Sequence, residues 1–324
     1  MFLRRRRQSA RTRILFATDL HGSEIVFRKF LNAVRVYEAD VAILGGDLTG
    51  KRIVPVVRTG ETFRAEVLGV EEVARTEEEL DALRGRIRDL GQYPLEMRPE
   101  ESDRLAADPE MLEQRFVAAC NNQVRDWMER SAERLEPLGV SLFVTGGNDD
   151  YLSIEAVLDE APYVVNAEGH VVQVPPGVEM ISTGYGNVTP WRCPRDITEE
   201  DLEGKIEQMA SQLVDAHHAI FNLHVPPYSS GLDLCPKLDA SVDPPKPLIG
   251  EEAPAGSRAV RLAIERFRPV LSLHGHIHEC AGIRKLGPTT CVNPGSEYGE
   301  GILRSAVIDL SPEREIIGAQ LLAA

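Results

Sequence analysis

Five short, continuously apolar runs, at 14–18, 41–46, 140–147, 219–223 and 270–273, constrain this chain more than any other feature. An unbroken apolar run of that length, rather than an alternating one, is what a strand buried on both faces requires. Helical patterns lie between the runs. Phe27, Phe30, Leu31 and Val34 share one face, as do Leu202, Ile206, Met209 and Leu213, and again Val260, Ile264 and Phe267. Strands alternating with amphipathic helices predict an α/β architecture with helices covering the sheet faces. No apolar run approaches the ~20 residues that span a bilayer, so no membrane partner is expected.

Each run also ends alike. The first stops at Asp19-Leu20-His21-Gly22, the second at Gly46-Asp47 and the third at Gly147-Asn148-Asp149-Asp150. The fourth stops at His224 and the fifth at His274-Gly275-His276-Ile277-His278. Ligands of open α/β sheets bind beyond the carboxyl ends of the strands, so five such ends would gather these side chains in one crevice. Singly they have bland readings, since an Asp at a strand end is often a helix N-cap and a lone His often belongs to the core. Together they are an inventory for hard divalent ions such as Mn, Fe or Zn, and no thiolate is placed to select a soft metal. Seven ligands exceed one ion. They fit two ions that share a carboxylate at the ~3.5–4 Å separation of two-metal hydrolases.

Charge and cysteine usage narrow the partners. Lys and Arg number 36 against 51 Asp and Glu, a net charge of −15, and six Arg fall in the first thirteen residues, leaving a still more acidic body. That body repels phosphate backbones, which makes extended nucleic acid a disfavoured partner. Five cysteines without a Cys-x-x-Cys pair argue against a disulfide framework or zinc ribbon and point to a cytoplasmic location.

Residues 51–105 read as an elaboration between the second and third strands. A hairpin of 53–57 with 62–68 turns at Arg58-Thr59-Gly60-Glu61. A capping box at Thr76-Glu77-Glu78-Glu79 then opens a helix with Leu80, Leu83, Ile87 and Leu90 inward. Asp108 and Pro109 start another helix, striped by Leu112, Phe116, Cys120, Val124 and Trp127 and ending near Gly139. The stretch 225–257 carries seven prolines and is expected as a long irregular loop, too broken for a helix or central strand. Asp150 is expected to cap a helix near Ser153, and His217 and His218 to close one, where the dipole favours a cation. His170 falls in a surface turn.

The series Asp19-x-His21, Gly46-Asp47, Gly147-Asn148, His224 and Gly275-His276-x-His278 resembles the calcineurin-like metallophosphoesterase superfamily, over residues 14 to about 296. The resemblance implies an α/β fold, a four-layer α/β/β/α metallophosphoesterase sandwich over 14–324 with an inserted hairpin-plus-helix elaboration at about 51–105. Residues 1–13 are then a basic, disordered tail. It also implies a dinuclear centre. Asp19, His21 and His278 would hold one divalent ion, Asn148, His224 and His276 the other, and Asp47 would bridge them. Manganese is the first expectation, with Fe, Zn, Co or Ni as others. A metal-bound hydroxide would then attack phosphorus in line.

One departure from the family pattern matters. Its third motif usually reads Gly-Asn-His, and this chain has Asp149 in place of the histidine. An aspartate with an ordinary pKa near ~3.9 is ionised at neutral pH and cannot protonate a leaving group, so Asp149 is expected to orient other groups. Asp47 and Asp149 are thus the candidate catalytic residues. Asn293-Pro294-Gly295-Ser296 resembles phosphodiesterase branches of the superfamily and tilts the expectation to a phosphodiester of nucleotide size. The alternatives are a phosphomonoesterase or protein phosphatase, and a non-catalytic metal-binding scaffold. Asn148, Asn187 and Tyr228 are the expected substrate contacts. Tyr228 or Trp191 is a candidate for stacking on a base, against the commoner packing role of aromatics.

Overall fold

In a computed structural model describing residues 11–239, 241–242 and 245–324, the first apolar run lies in a six-stranded sheet. Its order is Ile316–Ala323, Arg304–Leu310, Thr12–Ala17, Val41–Leu44, Ser141–Val144, Val164–Asn166. The last four strands are parallel, and Arg304–Leu310 runs antiparallel to both its neighbours. A second six-stranded sheet has the order Gly282–Leu286, Thr289–Asn293, Leu271–Leu273, Ile220–Leu223, Val178–Thr183, Val171–Val174. Its inner four strands are parallel and its two edges antiparallel.

Side chains alternate across each strand, which explains why the central runs are apolar throughout. Ile14, Phe16, Ile43 and Phe143 of the first sheet meet Met180, Ile220, Leu271 and Val292 of the second. Leu15, Ala17, Leu44 and Leu142 face outward onto helices Glu24–Val36, Pro109–Leu135 and Ile154–Glu160. There Phe27 stacks on Trp127 with ring centroids 4.3 Å apart. The outer face of the second sheet buries Ile181 and Phe221 beneath helices Glu199–Ala210 and Arg258–Phe267. The result is a four-layer α/β/β/α sandwich. Each fully buried large apolar side chain contributes on the order of 1.5–3 kcal/mol, so all three interlayer cores are needed.

The second and third apolar runs extend past their ladders, which end at Leu44 and Val144. The glycines that follow are loop, not strand. A Cβ on Gly46, whose φ is +117°, would lie 2.6 Å from His224 Nδ1.

Residues 51–105 hold the expected hairpin, Ile53–Thr59 with Thr62–Val67, within a four-stranded sheet completed by Val70–Ala74 and Tyr93–Met97. Helix Glu77–Asp89 closes it over Val54, Val56, Leu80, Leu83 and Ile87. Thr76 Oγ1 accepts from Glu79 N at 3.1 Å, while the Glu79 carboxylate reaches one residue further back, to Arg75 N at 2.6 Å.

Several expectations need correction. Thr12 and Arg13 belong to the first strand, not a tail, and Arg13 Nε is held by Asp309 Oδ1 at 2.8 Å; residues 1–10 lie outside the described residues. The proline-rich stretch contains an antiparallel ribbon, Leu234–Asp239 with Lys246–Pro254. A two-stranded ribbon leaves one edge of each strand unpaired, so prolines fit there; Pro244 is outside the described residues. His217 and His218 sit in a separate turn, Ala216–His218, where the His218 ring meets Asp215 Oδ2 at 2.7 Å, and they do not end helix Glu199–Ala210. Among the described residues no helix is long and apolar enough to cross a membrane.

Candidate metal centre

The carboxyl ends of the parallel strands deliver the site. Asp19 and His21 follow Thr12–Ala17, Asp47 follows Val41–Leu44, and Asn148 follows Ser141–Val144. His224 follows Ile220–Leu223, and His276 and His278 follow Leu271–Leu273. Asp19, His21, Asp47 and His276 all adopt positive φ, between 42° and 65°. That conformation costs a side-chain-bearing residue about 1–2 kcal/mol and persists where the surroundings over-determine it. Two glycines leave room for the carboxylates: a Cβ on Gly147 would fall 2.1 Å from Asp47 Oδ1, and one on Gly275 2.2 Å from Asp19 Oδ2.

The side chains converge. Asp47 Oδ2 lies 3.6 Å from His21 Nε2 and 3.5 Å from His224 Nε2. Asp19 Oδ1 lies 3.3 Å from His278 Nε2 and 3.9 Å from His224 Nε2. His21 Nε2 and His278 Nε2 are 3.0 Å apart. Asn148 Oδ1 is 2.9 Å from His276 Nδ1, and the His276 backbone N–H donates to both Asp19 oxygens at 3.0 and 3.1 Å. Ligand atoms of Asp19, His21 and His278 lie close enough together to hold one ion, as do those of Asp19, Asp47 and His224, and of His21, Asp47 and Asp149.

The donor set fits divalent cations. His224 Nδ1 donates to the Gly45 carbonyl at 3.0 Å, which turns the Nε2 lone pair toward Asp47 and Asp19. Buried His224 Nε2 and His21 Nδ1 have no hydrogen-bond partner. Buried polar atoms are nearly always satisfied, so the orphaned His224 Nε2, 3.5 Å from Asp47 Oδ2 and 3.9 Å from Asp19 Oδ1, marks a place suited to a cation.

The electrostatics agree. Burial alone would raise Asp19, but the hydrogen bond from His278 and the charges of His224 and His278 carry it down to about 2. Asp47 is likewise held well below its ordinary value, burial being outweighed by His224 and His21. Burial pushes His276 down to about 4. It pushes His224 down too, but Asp47 and Asp19 overcome it and raise that ring to about 9, a proton standing where a metal charge would.

A second set of residues fixes these groups. The Asn293 amide donates to the carbonyls of Gly275 and Ile277 at 3.2 and 3.1 Å, and the Ser296 hydroxyl to that of Asp19 at 2.7 Å. The Asn293-to-Ser296 segment therefore clamps the two histidine-bearing loops. Asp150 is no helix cap. Its buried carboxylate accepts from the backbone N–H groups of Gly147, Leu48 and Thr49 at 2.8–2.9 Å, stapling the third strand's loop to the second's. Asp196 Oδ1 accepts from Asn148 Nδ2 at 3.1 Å. The Tyr298 ring lies 4.7 Å from His21, and His274 donates to the Leu223 carbonyl at 2.7 Å.

Asp149 donates its backbone N–H to Asp47 Oδ1 at 3.0 Å, and its carboxylate forms an ion pair with Lys51. Among the other expected contacts, Asn187 Nδ2 reaches the Ala255 carbonyl at 3.5 Å, and the Arg258 guanidinium covers the Tyr228 ring at 5.1 Å. Lys51, Arg195, Asp196 and Tyr298 escape a reading of strand ends, while Asp150 is found there but with a different role. Of these four, Lys51, four residues beyond Asp47 on the same loop, had a positional signal.

Two solved crystal structures overlay this chain over nearly its whole length. One covers 96% of it and 98% of the neighbour at a TM-score of 0.56 and 15% identity. The other, TT1561 of Thermus thermophilus, covers 97% and 98% at 0.52 and 14%. With the strand order and the Asp/His constellation, the architecture is settled. The chain has the calcineurin-like metallophosphoesterase fold. No family model matches the chain. An uncharacterized protein of Methanocaldococcus jannaschii, MJ1162, is 30% identical over 142 residues, 43% of this chain. The match spans 57% of that curated relative's length.

The inserted sheet braces this centre. Tyr93 donates its hydroxyl to Gln123 Oε1 at 2.9 Å and accepts from Gly50 N at 2.7 Å, while Gln123 Nε2 donates to the Gly22 carbonyl at 2.8 Å. Gly91, at φ +72°, packs so close that a Cβ would lie 2.0 Å from the His21 carbonyl oxygen. Gly91→Ala combines a left-handed alanine with a backbone clash and is expected to cost at least ~2 kcal/mol, read from the urea midpoint. An unchanged midpoint would refute the close approach.

Proposed function

We propose that this protein hydrolyses a phosphate ester with two bound divalent ions, and that its substrate is a small phosphodiester of nucleotide size. The observation that carries the reading is Asp47, whose Oδ2 lies almost equally far from His21 Nε2 and His224 Nε2, at 3.6 and 3.5 Å. A carboxylate so placed suits sharing between two ions. Asp19, His21 and His278 would hold one ion, Asn148, His224 and His276 the other, with manganese the first candidate. Such ions supply Lewis acidity toward a phosphoryl oxygen and bring the pKa of water toward neutrality.

The chain's own residues prepare that chemistry. Asn293 and Ser296 fix the histidine loops, Asp150 fixes the Asp47 loop, and Gly45 sets the His224 tautomer, so no reorganisation is needed on reaction. A cavity of about 440 Å³ adjoins the centre at Asp149 and Lys51. It lies within the ~300–1,000 Å³ usual for small ligands, which supports a nucleotide-sized ester over a protein or extended nucleic acid. Asp149 in place of the histidine that would assist a monoester's leaving group favours a diester over a monoester. All five cysteines are free, which suits a reducing, cytoplasmic setting.

The test is to load the purified protein with manganese, count bound metal, and compare bis(p-nitrophenyl) phosphate with p-nitrophenyl phosphate. Faster diester turnover is expected. A monoester preference would overturn the diester assignment. Full metal occupancy with neither substrate cleaved would replace the hydrolase by a binding scaffold.

A further inference from the structure

With Asp149 in place of the histidine and its carboxylate paired to Lys51, nothing else in the motif set attends to the oxygen that departs from phosphorus. The structure offers one cation at the right junction. Lys51 follows Asp47 on the same loop, pairs with the Asp149 carboxylate, and lines the cavity that adjoins the centre. Its loop is pinned along its length: Leu48 N and Thr49 N by Asp150 at 2.9 Å, Gly50 N by the Tyr93 hydroxyl at 2.7 Å, and Lys51 N by the Gly91 carbonyl at 3.2 Å. A long lysine side chain ordinarily loses much rotamer freedom when it is fixed. Here loop and counter-ion fix it in advance, and its side chain remains 44% exposed, open to a ligand.

Phe116, Tyr151 and Trp191 also line the cavity, together with Glu113 and Arg192. Phe116 and Tyr151 meet edge to face with centroids 6.0 Å apart. Trp191 is 63% exposed, high for so large an apolar side chain. An anchored cation where the cavity adjoins the centre, with aromatic faces in the same lining, matches an ester whose departing portion carries a flat ring.

We propose that Lys51, held in place by Asp149, is a catalytic residue that touches the departing oxygen, and that the cavity beyond it receives an aromatic, nucleobase-like portion of the substrate. The inference rests on the hydrolase reading above. In the step, an oxygen from water forms the new bond to phosphorus while the phosphorus–oxygen bond to the leaving group breaks and its electron pair stays on the departing oxygen. Lys51 Nζ donates a hydrogen bond to that oxygen as charge develops, and the proton released by water reaches it through solvent. Lys51 remains an ammonium throughout.

The test compares wild type with Lys51→Met and Lys51→Arg on manganese-loaded protein, using aryl diesters of graded leaving-group pKa. Removing one such donor is expected to cost about 10²–10³-fold in kcat. The loss should grow from p-nitrophenyl to phenyl esters, Lys51→Arg should restore part of it, and metal content should not change. A second readout is independent of turnover. Trp127 is fully buried against Phe27, so adenosine monophosphate titrated into the loaded protein should quench Trp191, and Trp191→Phe should abolish the change. An active wild type with a Lys51→Met loss that is absent, or equal for all leaving groups, overturns the catalytic role alone. Absence of quenching overturns the aromatic subsite. A metal-loaded wild type that cleaves no ester fails earlier and removes the hydrolase reading on which both depend.

Discussion

Asp47→Asn is expected to lower bound manganese from two ions to one or none and to reduce diester turnover by three or more orders of magnitude. Asn keeps the shape and can still accept the Asp149 N–H that Asp47 Oδ1 accepts at 3.0 Å, so the loop should survive. What disappears is the negative charge between His21 and His224. Three orders of magnitude correspond to about 4 kcal/mol of transition-state stabilisation, in keeping with loss of metal Lewis acidity. Thermal unfolding separates this from misfolding. Without metal the variant should still unfold cooperatively but lower than wild type, since the attraction of His224 and His21 that holds Asp47 below its ordinary pKa is lost. With excess manganese wild type should melt higher, as any native-state ligand requires, and the variant should not. A variant that keeps two ions and most of its activity would end the shared-carboxylate assignment.

Arg195→Met should cause the largest loss of stability. Arg195 is fully buried, and its guanidinium pairs with Glu155 and donates to the Asp150 carbonyl at 2.9 Å and the Tyr151 carbonyl at 3.3 Å. Glu168 Oε2 lies 3.9 Å away. Methionine fills part of the volume but leaves carboxylates without their cation. Breaking a buried pair in this way costs about 3–5 kcal/mol, a fall in Tm of roughly 10 °C. Burial already raises Glu168 above its ordinary 4.5, against the opposing pull of Gly184 N–H, Arg195 and Thr183. An acid with a raised folded-state pKa takes up a proton more readily folded than unfolded, so acidification through that range favours the native state. Losing Arg195 extends the range upward. The deficit of Arg195→Met should therefore shrink as pH falls from about 7 towards about 5, and a deficit that widens on acidification would contradict the account.

The sandwich and the convergence of Asp and His were legible because buried parallel strands leave an unmistakable mark. Ile14-Leu15-Phe16-Ala17 is apolar on both faces, and the first polar residues after such a run must lie at its carboxyl end. Positions that act through backbone contacts left no such mark. Asp150 reads as a helix cap because that is what an isolated Asp before a helix usually does, and only three-dimensional proximity shows it holding Leu48 and Thr49 instead. Arg195 carries no mark of burial in the sequence, since arginine seldom buries completely without partners distant in the chain. Val-Glu-Glu-Val-Ala at 70–74 pairs only along one edge of a small sheet and carries too little hydrophobicity to announce a strand. The proline-rich ribbon hid for the related reason that an unshared edge tolerates proline.

The bracing of His21 by Gly91 has an implication for how this scaffold can be remodelled. Ser23 Oγ also donates to the Asp89 carbonyl at 2.7 Å, so the loop bearing His21 leans on the inserted sheet from two neighbouring points. Splicing residue 50 directly to the helix at 109, in search of a minimal hydrolase, would not trim an ornament. It would leave one ligand-bearing turn propped against solvent, and a shortened version would need a new buttress designed in its place.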